Sequence, residues 1–208
     1  MIIAFDGIDC AGKNTQIDLL NDYLINHDKK VHIMSEPRFI CNEKINIRTD
    51  KFNMAEMLSL FLLDRMKHVN ELKASHMAKI IGLRKDILIL DRYYYSTYAY
   101  QAGLHGITSI ENLKKIHDFI DCPVPDIAFI FVIGYTEFIK RLAKKTPDLI
   151  ESELINKKRF AKLYSAYMGL RKHFEEVIII DGEQTKEIIH KIIINNIVKY
   201  CVVNGIDF

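Results

Sequence analysis

What this sequence lacks already narrows its class. Its four cysteines, Cys10, Cys41, Cys122 and Cys201, include no C-x-x-C pair. That excludes a disulfide scaffold and leaves free thiols, the state kept by a reducing compartment. The eight histidines show no ligand spacing, so no structural zinc site is expected. A charge of one sign is missing too. The net charge of +2 gives bulk electrostatics no hold on nucleic acid or a membrane surface. No apolar run approaches membrane-spanning length, and the most apolar stretch, 188–203, carries His190, Lys191, Asn195, Asn196 and Lys199. A secretory leader is not expected at the start, because Asp6, Asp9 and Lys13 interrupt any apolar core there. No repeat, low-complexity tract or linker divides the chain. The expectation is one cytoplasmic α/β domain over 1–208, binding neither nucleic acid nor membrane, with hydrophobic content of 49% sufficient for a core.

Against that plain background the first sixteen residues, MIIAFDGIDCAGKNTQ, carry a specific signal. Ile2, Ile3, Ala4 and Phe5 form the short apolar run of a strand buried on both faces of a parallel sheet. Gly7, Ile8, Asp9, Cys10, Ala11, Gly12 and Lys13 then follow phosphate-loop spacing, with two glycines five apart and a lysine directly after the second. The glycines permit backbone geometry that turns successive N–H groups toward phosphate oxygens. Lys13 adds a point charge at the β and γ phosphates, and the following helix offers its positive end. One position departs from the pattern. Where a Ser or Thr hydroxyl would ligate magnesium stands Asn14, followed at once by Thr15. An amide carbonyl can ligate a hard cation, and Thr15 can reach a phosphate, so the loop is imperfect but not broken. By itself the loop says nucleotide and leaves the reaction open.

The rest alternates strand and helix. Residues 15–27 read as an amphipathic helix with Ile17, Leu20, Leu24 and Ile25 toward the core, and 30–35 as a strand ended by Pro37. The polar segment 41–52, with Arg48, reads as loop, and 54–74 as a helix with Leu58, Phe61, Leu62 and Met66 on apolar spacings. Phe61 and Arg65, four apart, share one face of it, either as a core ring beside a solvated cation or as part of a site. The nearly all-apolar 86–91 is a buried strand, and Asp91 at its tip is placed like a carboxylate that holds magnesium. Four tyrosines crowd 94–100. If that stretch is helical, Thr97 and Gln101 share a face beside Tyr100, which suits either a nucleobase edge or aromatic packing. Helices over 112–120, 136–145 and 151–174, strands over 126–133 and 177–181, and a last helix after 182–185 complete the order. Buried strands alternating with helices imply a parallel five-stranded sheet covered on both faces, a three-layer α/β architecture.

Taken together, FDGIDCAGKNTQ, EPRF, FLLDRMKHV, DRYYYSTYAYQ, PDIAFIFV and IIIDGEQTKEII resemble the thymidylate kinases, in that family's order over residues 1 to about 190. The most specific stretch is Asp91-Arg92-Tyr93-x-x-Ser96-x-x-Ala99-Tyr100-Gln101. The resemblance implies a phosphate-loop nucleoside monophosphate kinase that uses ATP and Mg2+ to convert dTMP to dTDP, and a homodimer. It implies that residues 7–15 and Gln184 hold the nucleotide, with Asn14 and Asp91 near the metal. Phe61 would stack on the thymine ring. Arg65, Thr97 and Gln101 would read its edge beside Ser96. Tyr100 would exclude a ribose 2′-hydroxyl, and Asp9 would meet the 3′-hydroxyl or the metal. Arg38 and Arg92 would grip the acceptor phosphate. Glu36 and Phe39 belong to the E-P turn. The loop has no arginine of its own, so charge at the moving phosphoryl group would come from a short lid around 141–151. Arg141, Lys144 and Lys145 are its cations and Glu151 its carboxylate; a solvated helix end explains the same three cations. Asn14, Ser35, Phe39 and the lysine-rich lid depart from the family pattern. A broader acceptor range that includes dUMP, or a non-catalytic nucleotide binder, are the alternatives.

Overall fold

A computed structural model describes residues 1–39, 53–74 and 86–206. Its elements run β1 (Ile2–Gly7), α1 (Lys13–Ile25), β2 (Val31–Ser35), α2 (Met54–Ala74) and β3 (Ile87–Asp91). The short helix α3 (Tyr94–Thr97) passes directly into a π-helical segment, Tyr98–Leu104. Then follow α4 (Ile110–Phe119), β4 (Ile127–Val132), α5 (Tyr135–Leu142), α6 (Leu149–Glu153), α7 (Lys157–Gly169) with a terminal 3-10 turn, β5 (Val177–Asp181) and α8 (Lys186–Val203). The segment 41–52 lies outside the described residues, and Cys41 and Arg48 with it.

All five strands are parallel, in the order β2-β3-β1-β4-β5. Every residue of β1 and of β4 is buried. Successive side chains on a strand point to opposite faces, so both faces of the sheet centre are covered by helices. Phe5 packs between Phe129 at 5.4 Å and Phe131 at 5.8 Å between ring centroids, which locks β1 to β4. β2 lies at the sheet edge and is only half-buried. Because Phe5 pairs with Asp91 and Gly7 with Phe131, the carboxyl ends of the strands lie along one rim. Open parallel sheets take their ligands at that rim, where the strand order reverses beside β1.

Several boundaries differ from the sequence expectation. The helix expected over 151–174 is broken in two. Asn156 caps α7, its side-chain oxygen accepting from the Lys158 and Arg159 backbone N–H groups at 3.0 and 3.2 Å. Asp148 and Glu151 close a reciprocal capping box on α6, and Leu154 is buried in the turn between. α5 ends at Leu142, which leaves Lys144 and Lys145 beyond its last turn. Ile25 is 56% exposed and not in the core. On α2 the buried stripe is Met57, Asp64, Arg65, His68, Val69 and Leu72, whereas Met66 is exposed. The inward face of that helix is polar because it lines a cavity.

Candidate active site

The loop after β1 forms a tight cradle. Cys10 (φ 62°) and Gly12 (φ 94°) take left-handed backbone. Gly7 is fixed by a close approach as well, since a Cβ there would meet the Phe131 carbonyl oxygen at 2.1 Å. Lys13 opens α1 and folds back, its Nζ donating to the Gly7 and Ile8 carbonyls at 3.1 and 2.9 Å. Burial, with the Arg92 charge adding to it, brings its ammonium down to about 8, against the pull of Asp9. Asn14 and Thr15 are exposed on the first turn of α1.

Across the cleft, Arg92 follows β3 in left-handed backbone (φ 63°) and ion-pairs with Asp9 of the loop, while its Nη1 donates to Ser96 Oγ at 3.2 Å. Burial disfavours the guanidinium charge, but Asp9, Tyr167, Tyr100 and Asp6 together outweigh it and raise the pKa. Asp9 is pushed up by burial and held lower by Arg92 and Lys13; Tyr100 Oη also donates to it, at 3.3 Å. One carboxylate thus joins the loop lysine to the arginine opposite.

A residue the sequence reading did not single out builds this arrangement. Asp6, fully buried, accepts from the backbone N–H groups of Gly7 (2.7 Å), Tyr93 (3.1 Å) and Ser96 (2.9 Å). The Ser96 and Tyr167 hydroxyls donate to it at 2.5 and 3.3 Å. It caps the start of α3 from a neighbouring strand and sets Arg92 and Ser96 against the loop.

Beside Arg92 opens a cavity of about 340 Å³, lined in part by Asp9, Phe61, Arg65, Thr97, Tyr100 and Gln101. The tyrosine-rich stretch serves both readings at once. Tyr94, Tyr95 and Tyr98 pack inward at 0–4% exposure, while Tyr93, Ser96, Thr97, Tyr100 and Gln101 line the cavity. The π-helical winding over Tyr98–Leu104, which carries Tyr100 and Gln101, is of the kind found at functional sites. Arg65 is buried and not solvated. Glu36 Oε2 accepts from its Nε at 3.0 Å and its Nη2 at 2.7 Å, and Nη1 donates to Thr97 Oγ1 at 3.0 Å. Burial alone would raise the Glu36 carboxyl, but Arg65 and a hydrogen bond with His68 hold it below its ordinary value.

Other expected site residues lie elsewhere. The Arg38 Nε donates to Glu71 at 2.9 Å, its guanidinium stands 5.8 Å from the Phe39 ring, and neither residue lines the cavity. Their backbone N–H groups donate to Asp64 at 2.8 and 2.7 Å, which fixes the E-P turn against α2. Glu151 faces the phosphate loop, paired with Lys145 and 3.9 Å from Cys10 Sγ. Arg141 donates to Glu137 (2.7 Å), to the Cys10 carbonyl (3.0 Å) and to the Gly182 carbonyl (2.9 Å), so it braces the loop and is no solvated helix end. Gly182 lies so close that a Cβ would meet the Ala11 oxygen at 2.5 Å, and Gln184 sits exposed in the same turn. Asp64, His68, His117 and Tyr167 also went unnoticed in the sequence. The D-R-x-x-H spacing of Asp64, Arg65 and His68 could have signalled the first two, and no local pattern marks His117 or Tyr167.

The donor set suits a hard divalent cation. Asp91, half-exposed at the tip of β3, has a carboxylate with no hydrogen-bond partner among the described residues. Burial raises its pKa, and Asp6 and Asp9 add to that against Lys13 and Arg92. A metal ion beside it would reverse that shift.

An all-parallel sheet with a glycine-rich, lysine-tipped loop on its central strand is the architecture of a phosphate-loop nucleotide-binding protein. Residues 5–193 match the sequence model of the thymidylate kinase family. The chain is 35% identical over 191 residues to the thymidylate kinase of Thermosipho africanus (strain TCF52B), covering 89% of this chain and 91% of that protein. It is 33% identical over 208 residues to that of Thermoanaerobacter sp. (strain X514), covering 95% and 97%. The crystal structure of thymidylate kinase from Ehrlichia chaffeensis shares the fold, with a TM-score of 0.71 at 22% identity over 95% of this chain and 97% of that one. The chain belongs to the thymidylate kinase family.

Proposed function

We propose that the protein transfers the γ-phosphoryl group of ATP to dTMP, giving dTDP and ADP. The observation that carries this reading beyond family membership is Asp9, which joins Lys13 of the donor loop to Arg92 beside the base-sized cavity. Two anion-seeking cations on either side of one carboxylate suit a donor and an acceptor phosphate held end to end. Such transfer needs no covalent enzyme intermediate, so positioning and electrostatics supply the catalysis.

In this reading the loop N–H groups and Lys13 hold the donor phosphates, with Gln184 at the nucleotide's edge. Arg92 receives the acceptor phosphate, and Arg38 joins it by leaving Glu71. Phe61 stacks on the base, Arg65, Thr97 and Gln101 read its edge, and Tyr100 closes the space of a 2′-hydroxyl. Asp91 and Asn14 would hold magnesium, which would supply charge neutralisation at the moving group. The segment 141–151 serves as the lid. Lys145 delivers positive charge more readily than Arg141, because it gives up one ion pair with Glu151 where Arg141 gives up three hydrogen bonds. No helix among the described residues is long and apolar enough to cross a membrane, and Cys10, Cys122 and Cys201 are free thiols, which supports a reducing, cytoplasmic setting. The exposed Leu63 and Met66 on α2 support a homodimer through that helix.

The test is direct. Purified protein with ATP, magnesium and dTMP makes dTDP and ADP, followed by a coupled ADP assay and chromatography of the products. ADP without dTDP, or no turnover at all, overturns the proposal.

A further inference from the structure

We infer that His117, which does not line the cavity, is the residue that fixes which pyrimidine edge the cavity accepts, by holding the Arg65 guanidinium in a single orientation. The inference deepens the dTMP kinase reading and rests on it.

A guanidinium carries five N–H donors in a rigid plane. Glu36 takes the Nε donor and one from Nη2. Thr97 Oγ1 and His117 Nε2, at 3.0 and 3.1 Å, take the two on Nη1. One Nη2 donor has no partner among the described residues, and it belongs to a side chain that lines the cavity. Arg65 therefore offers a ligand one N–H. Thr97 Oγ1 accepts from Arg65, so its own proton remains to be donated, and Thr97 lines the same cavity. Two donors side by side call for a carbonyl edge.

His117 makes this arrangement rigid. Arg65 can only donate, so Nε2 must accept, and the ring proton sits on Nδ1, where it is donated to Tyr98 Oη at 2.8 Å. Burial, then the Arg65 charge, holds the imidazole neutral, with its pKa down to about 3. Its ring stacks on Tyr94 (5.2 Å, 25°) and meets Tyr98 edge-on (5.1 Å, 80°), so it cannot turn aside. With Glu36 on one edge of the guanidinium and His117 on the other, Arg65 can neither rotate nor withdraw. A pyrimidine with a 4-carbonyl receives the remaining donor. One with a 4-amino group brings N–H against N–H and leaves buried donors unpaired.

The experiment compares kcat/KM for dTMP and for dCMP in the wild type, His117→Gln and His117→Asn, with an unfolding midpoint for each. The Gln carbonyl reaches the place of Nε2 and still accepts from Arg65. The shorter Asn amide reaches only the place of Nδ1. His117→Gln should keep the dTMP-over-dCMP ratio within about threefold, and His117→Asn should lower it about tenfold or more, chiefly through KM, the scale of one hydrogen bond. A role in stability alone moves the midpoints of both variants and leaves the ratio alone, which overturns the inference. If His117→Asn does not fold, Tyr98→Phe replaces it: loss of the Nδ1 partner should lower the ratio, and an unchanged ratio again overturns the inference. A wild type that phosphorylates neither monophosphate overturns the kinase reading itself. A wild type active on dTMP whose ratio His117→Asn leaves unmoved overturns only the role of His117.

Discussion

Single residues divide by how local their work is. Lys13 was legible from spacing alone, because a phosphate loop is a contiguous device. Its proton is the testable part. An ordinary lysine titrates near 10.5, and burial followed by Arg92 brings Lys13 to about 8. The folded value is the lower one, so the unliganded site sheds its proton as pH rises through 8, and nucleotide phosphates restore it. At pH 8, ATP binding should take up about half a proton, against almost none at pH 6.5, and affinity should fall above pH 8. Calorimetry in buffers of different ionisation enthalpy reads this directly, and zero uptake at pH 8 contradicts it. Asp6 was illegible for the opposite reason. Four of its five donors come from Tyr93, Ser96 and Tyr167, up to 161 positions away, and no local pattern records them. Arg38 shows a third case, where the motif was visible but its side chain pairs with Glu71 outside the cavity.

At the scale of elements, the buried strands were legible because parallel strands covered on both faces read as unbroken apolar runs. The break in 151–174 was not, since helical periodicity continues through it and only the turn after Glu153 and the cap at Asn156 interrupt the backbone. The π-helical segment was likewise hidden, because its winding is set by packing against α7. There Gly103 lies so near that an added Cβ would stand 2.3 Å from the Ala166 Cβ. Gly103→Ala should therefore destabilise the protein by about 1–3 kcal/mol, since one helix must move off the other. Adding Ala166→Gly removes the obstacle, and the double variant should recover most of the loss in urea unfolding. Additive losses would show that the two positions do not meet.

For the molecule as a whole, strand order followed from βαβ alternation only as far as a parallel sheet. The central place of β1 needed tertiary structure. So did the outer face of α2, where Met66 falls on an apolar spacing yet is 41% exposed, beside Leu63 at 50%. In the proposed dimer that face is the seam. Sedimentation velocity over a concentration series should find a mass of two chains, and Leu63→Glu should weaken self-association about tenfold or more. A wild type with the mass of one chain at every concentration removes the dimer.

Arg141 also has a mechanical meaning. A peptide unit is flat, so pinning its carbonyl aims the amide at its other end. By anchoring the Cys10 carbonyl and the Gly182 carbonyl together, Arg141 acts as a keystone 131 positions from Cys10. The cradle contains no arginine of its own, yet its stiffness is imported from one, and loosening that stone would blur the cradle's shape before touching any charge in it.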